Sequence, residues 1–149
     1  SMMSAFLAIF LALCISGMLD KTGILSTLVR PLIEKCGNST FKIIACTAVL
    51  TYITNAIGSS MLFASIVTAA LMKDVFTINH IAPENLSRTL EDAGTFGAVL
   101  IPWNSNAIYA SQMLGVAPVA FIPYCFLNYL TPIIDLIYAK TGFTIKKTA

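Results

Sequence analysis

No acidic or basic side chain interrupts three stretches of the chain: Ser1 to Leu19, Ile43 to Met72 and Ala93 to Ile134. A bilayer core about 30 Å thick is crossed by roughly 20 apolar helical residues, so runs of this length read as membrane helices rather than core helices. The pattern predicts an all-α membrane protein. Residues 2–19 predict one spanning transmembrane helix; the run lacks a basic leader region and a small-residue cleavage site, so it reads as a span rather than a signal peptide. Residues 22–36 differ: Ile24, Leu25, Leu28, Leu32 and Ile33 fall near one helical face, with Lys21, Arg30, Glu34 and Lys35 at its flanks and Pro31 inside. Such a segment is expected to lie along the headgroup layer, with Gly37-Asn38-Ser39 as the turn after it.

The 30 charge-free residues from Ile43 to Met72 would make a straight helix about 45 Å long, well beyond the hydrocarbon thickness. Near the middle lies Tyr52-Ile53-Thr54-Asn55-Ala56-Ile57-Gly58-Ser59-Ser60, where a glycine, an amide and three hydroxyls cluster. Irregular backbone at membrane depth persists only where protein or a water-filled cavity satisfies it. Residues 43–72 therefore predict a re-entrant hairpin of two half-helices, Ile43–Tyr52 and Met61–Met72, joined by a polar turn. The competing reading is one long tilted helix whose Ser and Thr hydroxyls bond back to the preceding turn.

Lys73 to Asp92 carries six charges and the sole histidine, His80, and reads as aqueous. Pro83-Glu84 suits a helix start, and Glu84, Arg88 and Asp92 at i, i+4 and i+8 form a charge ladder on that helix. Residues 83–116 then predict an amphipathic start running into a discontinuous transmembrane helix. Its break falls at 102–106, where Pro102 removes a backbone donor and Asn104, Ser105 and Asn106 supply amides and a hydroxyl. Residues 118–139 predict a last transmembrane helix, on which Tyr124, Asn128, Thr131 and Asp135 share a narrow arc that should face other helices or a cavity. Asp135, four residues from the helix end, is expected to reach water by snorkelling.

Composition sharpens the class: 57% of residues are apolar and 11% charged, against roughly 45–50% and 25% in soluble domains. A net charge of +2 without a run of like charges sets nucleic acid aside. Cys14, Cys36, Cys46 and Cys125 lack the spacing of a zinc site and read as free, mostly buried thiols. No His-Glu-x-x-His, Gly-x-Ser-x-Gly or phosphate-binding glycine loop occurs, so no enzyme and no cofactor is expected.

Two interrupted apolar segments in one chain point to the midplane site of a secondary transporter, because unwound carbonyls and half-helix ends coordinate small ions. Thr54, Asn55 and Ser59 from the first break and Asn104, Ser105 and Asn106 from the second offer the neutral oxygens a hard cation such as sodium takes. The two sets are expected to converge, since about six ligands exceed what either turn supplies alone.

The stretches Leu86-Ser87-Arg88-Thr89-Leu90-Glu91-Asp92-Ala93-Gly94-Thr95, Leu100-Ile101-Pro102-Trp103-Asn104, Leu114-Gly115-Val116 and Phe126-Leu127-Asn128-Tyr129-Leu130-Thr131-Pro132 resemble the C-terminal part of the NhaC type sodium/proton antiporter family. The resemblance is dense from Asn85 to Phe143 and thinner before. It implies a longer protein of two inverted repeats, each with a re-entrant hairpin and a discontinuous helix, of which this chain would be the second half. It also implies sodium/proton antiport across the cell membrane, with sodium as transported or coupling ion. The chain departs from the family pattern at Ser59 and Ser60, where an acidic residue is frequent. Any proton-carrying role therefore moves to Asp92, Asp135 or an acid in the N-terminal part, because Ser and Asn do not titrate near neutral pH.

Two alternatives stand beside antiport: sodium-linked exchange of small carboxylates of the malate/lactate type, and a non-transporting membrane assembly subunit whose small residues serve helix packing. The expected partners are the lipid bilayer and the N-terminal repeat of the same protein, with a homodimer left open. Positive residues favour the cytoplasm, and with a hairpin over 43–72 Lys42, Lys73 and Lys140 share that side.

Overall fold

The structure is a computed structural model that describes residues 39–147 together with Leu7, Phe10, Cys14 and Met18. The helix expected over 2–19 and the interfacial helix over 22–36 lie outside the described residues, save that those four are helical and exposed. Among the described residues the structure is helical apart from turns and one isolated bridge between Ile81 and Lys147.

Helix α1, Thr40–Gly58, and helix α2, Met61–Ile78, form a hairpin, and each is long and apolar enough to cross a membrane. Three buried threonines on α1 satisfy their hydroxyls within the helix: Thr47 Oγ1 donates to the Ile43 carbonyl (2.8 Å), Thr51 to Thr47 (2.7 Å) and Thr54 to Leu50 (2.9 Å). Back-bonding of this kind lets polar residues sit in an apolar helix without breaking it. The chain reverses at Ser59, which takes the left-handed conformation (φ 53°) and returns its N–H to the Asn55 carbonyl; Ser60 is extended. Thr54 and Thr68 then meet across the hairpin, Oγ1 to Oγ1, at 3.1 Å.

The eight-residue polar turn expected from the sequence is thus two residues wide. Its threonine and amide are helical. Gly58 belongs to the helix too, and its missing Cβ leaves room for the Phe63 ring. A single long tilted helix is excluded by the reversal.

Helix α3, Pro83–Leu90, continues into a π turn, Glu91–Thr95, and a short α4, Phe96–Ala98. A π turn inserts one residue into the helical ladder and recurs at functional sites. Turns and bends occupy Val99 to Asn104, and α5 covers Ser105–Leu114. The break expected at 102–106 begins earlier and ends earlier, because Asn104 caps α5: its Oδ1 accepts the Asn106 N–H at 3.0 Å, which makes Ser105 and Asn106 the first helical residues.

After Gly115 (φ 69°), α6, Pro118–Phe121, and a 3-10 turn, Ile122–Tyr124, bend 85° away from α5. Helix α7 runs Phe126–Thr141. The one helix expected over 118–139 is therefore divided at Cys125 (φ −80°, ψ 56°). Pro123, without an N–H, cannot carry the helical ladder across that point.

The buried apolar cluster of Ile43, Ile44, Leu50, Met72, Phe76, Ile81, Leu86, Leu90 and Ala139 sits where the start of α1, the end of α2, α3 and the end of α7 meet. At this end a C-terminal tail folds back: Lys146 O accepts from Ala82 N (3.1 Å) and from Asn85 Nδ2 (2.7 Å). Cys14 and Cys125 are free thiols, but Cys46 is disulfide-bonded, which corrects the all-free expectation.

Candidate functional site

The hairpin tip and the broken helix meet. Asn55, on the last turns of α1, and Asn104, before α5, are both fully buried. Asn104 Nδ2 donates to Asn55 Oδ1 at 2.7 Å, and Asn55 Nδ2 donates to the Gly94 carbonyl in the π turn at 2.9 Å. Around this pair, the Ser105 N–H donates to the Ser59 carbonyl (3.0 Å), Trp103 Nε1 to the Ala56 carbonyl (2.7 Å) and Asn106 Nδ2 to Met61 Sδ (3.1 Å). Five of the six candidate residues therefore stand at one crossing. Thr54 faces elsewhere, its hydroxyl engaged with Leu50, Thr51 and Thr68.

Each amide of the pair donates one bond and accepts one, so each amide oxygen retains a lone pair. Asn55 Oδ1, Asn104 Oδ1 and the carbonyls of the unwound Val99–Asn104 stretch are neutral oxygens of the kind hard cations take. Among the described residues no three of His, Cys, Asp and Glu converge, so a cation here would rely on that neutral set. Gly94 lets the π turn press on the hairpin, where a Cβ would come within 3.2 Å of Ser65 Oγ and Thr51 Cγ2.

A second polar cluster was not assembled by the sequence reading. Asp135 is buried, 2% exposed, and pairs with Arg88 Nε at 2.9 Å through Oδ1 and with Thr89 Oγ1 at 2.8 Å through Oδ2. Snorkelling to water is thereby overturned, because α3 covers the carboxylate. The Glu84–Arg88–Asp92 ladder gives way as well: Arg88 serves Asp135, and Glu84 stands 4.0 Å from Lys146. Asp92 lies in the π turn, half-buried. The polar arc on α7 was the one available signal. Asn128 Nδ2 donates to the Phe96 carbonyl of α4 at 2.7 Å, Asp135 bonds α3, the Thr131 hydroxyl is buried, and Tyr124 is exposed.

Long apolar helices enclosing a buried polar crossing define an integral membrane protein. More narrowly, the chain belongs to the Na+/H+ antiporter family, whose sequence model matches residues 1–143. It is similar to the Na(+)/H(+) antiporter NhaC of Alkalihalophilus pseudofirmus, at 29% identity over 99% of this chain and 32% of that protein. It is likewise similar to the Malate-2H(+)/Na(+)-lactate antiporter of Bacillus subtilis, at 29% over 95% of this chain and 30% of the relative. The Arginine/ornithine antiporter ArcD of Halobacterium salinarum shares 30% identity over 91% of the chain and 28% of its own length. The chain spans about a third of the length of these curated relatives. No solved structure matches it significantly. The expected NhaC-type membership holds.

Proposed function

We propose that this chain forms the C-terminal repeat of a secondary antiporter that exchanges sodium for protons, with the cation held at the Asn55–Asn104 crossing and a proton carried on Asp92. The observation that carries the reading is the 2.7 Å bond joining the hairpin to the broken helix. Two polar interruptions in separate apolar segments are costly unless they satisfy one another, and where they meet they leave neutral oxygens for a dehydrated cation. Similarity to the NhaC antiporter of Alkalihalophilus pseudofirmus gives sodium and protons as the pair. Similarity of equal identity to the malate/lactate antiporter keeps sodium-linked carboxylate exchange as the second reading.

The experiment is sodium-gradient-driven proton movement in vesicles holding the full-length protein, run with and without malate or lactate. Exchange without a carboxylate is expected; exchange that begins only when one is added favours the second reading, and none under either condition favours the assembly subunit.

We also infer that α1 and α2 enter and leave the membrane on one side. The start of α1 and the end of α7 border a common cavity of about 430 Å³ lined by Thr40, Phe41, Lys140 and Ile145. Single cysteines at Lys42, Lys73 and Lys140 should all label from the cytoplasmic face. A cysteine at Ser59 should resist membrane-impermeant reagent from the far face. Lys42 and Lys140 labelling from opposite faces refutes the arrangement.

A further inference from the structure

Between the π turn and α7 lies a group of charges that the cation crossing does not use. Both oxygens of Asp135 act as acceptors, one for Arg88 Nε and one for Thr89 Oγ1, which is the bonding of an ionised carboxylate. Arg88 is held from two further sides, by Nη1 donating to Thr144 Oγ1 at 3.0 Å and by the Tyr138 ring 5.8 Å from the guanidinium carbon. Its Nη2 is buried and has no partner among the described residues.

One turn along, Asp92 makes no hydrogen bond among the described residues and lies within electrostatic reach of Asp135, Arg88 and Glu91. The Thr131 hydroxyl is also buried without a partner. The pairings Asn128–Phe96 and Arg88–Asp135 show that α7 passes this helix in the opposite direction, which sets Thr131 level with the turn carrying Asp92. The other titratable groups around the turn are Tyr52 of α1, Tyr129 of α7, which acts on Tyr52, and the exposed Glu91, which accepts from Thr95.

We propose that Asp92, Asp135 and Arg88 share one positive charge between two carboxylates, with Arg88 committed to Asp135 while Asp92 holds a proton and offering its free Nη2 edge to Asp92 once that proton leaves. This rests on the reading of Asp92 as the proton carrier, and it makes Arg88 the positioning residue for proton release. The step is simple: the carboxyl O–H of Asp92 breaks, the proton passes to water, and the carboxylate gains a charge-assisted donor. A fork of several donors in one plane can serve two carboxylates at once, which a lysine ammonium does less well. The Thr131 hydroxyl accepts from the protonated form and donates to the ionised one.

The test is an infrared titration of carboxyl groups in the full-length protein reconstituted in lipid, the Asp92 band being the one lost in Asp92→Asn. Arg88→Gln removes the shared charge and should move the midpoint of that band to higher pH by about one unit or more, the size of one neighbouring charge. Asp135→Asn removes the competing anion and frees Arg88, so the midpoint should move to lower pH. The double variant, which leaves two neutral amides facing one another, should return towards the wild type. If Arg88→Gln fails to insert, the Asp135→Asn shift decides alone. An unmoved midpoint, or a move to higher pH in Asp135→Asn, overturns the proposal. Because carboxyl titration is read without transport, absence of sodium/proton exchange by the wild type would sink the antiport reading separately.

Discussion

Asn104→Ala in the full-length protein is expected to lower apparent sodium affinity by about 10- to 100-fold or more, the range seen when supporting polar groups of a metal site are removed. The substitution removes the cap of α5 and leaves Asn55 Oδ1 buried without its donor. The lost cap costs about 1 kcal/mol and the stranded acceptor about 1–3 kcal/mol. These are tolerable for a protein whose apolar segments still partition into lipid. Asn55→Ala should act the same way, since it strands Asn104 Nδ2 and the Gly94 carbonyl together. Vesicle exchange measured against sodium concentration, alongside monodispersity in detergent, separates loss of the site from loss of the fold. Wild-type sodium dependence in both variants would exclude the crossing from transport.

Asp135→Ala carries the largest expected cost in stability. Breaking a buried ion pair by removing one partner typically costs about 3–5 kcal/mol, because the remaining charge stays buried and uncompensated. Here the stranded group is Arg88, which is itself only partly exposed, and Thr89 Oγ1 loses its acceptor at the same time. The thermal transition of the full-length protein in detergent should fall markedly in Asp135→Ala and much less in Asp135→Asn, whose amide oxygen can still accept from Arg88. An unchanged transition in the alanine variant would show that the pair contributes nothing to the bundle.

The two clusters differ in how far the sequence revealed them. Asn55 and Asn104 were visible because an amide inside a charge-free run is rare and expensive, and both breaks could be located to within a few residues. The width of the first break could not. Thr47, Thr51 and Thr54 look like interruptions in a sequence, yet each hydroxyl returns to its own helix, and Gly58 is there to admit the Phe63 ring rather than to free the backbone.

The Arg88–Asp135 pair was hidden for another reason. Its members lie 47 residues apart, and the local spacing of Glu84, Arg88 and Asp92 offered a sufficient explanation of all three charges. Only the packing of α7 against α3 reassigns them. The π turn has no compositional mark, so the residue it inserts, and the half-buried place it gives Asp92, belong to tertiary structure alone.

The tail after α7 carries a practical consequence. Thr144 bonds Arg88, Lys146 bonds Ala82 and Asn85, and Lys147 bridges Ile81, so the last described residues are tied to the start of α3 rather than hanging free. A fluorescent reporter or purification handle joined close behind Lys147 would be tethered to that helix. Any tug from it would be transmitted through Asn85 and Thr144 towards Arg88. A flexible spacer between the tail and the handle is the arrangement that leaves the pH response of the protein its own.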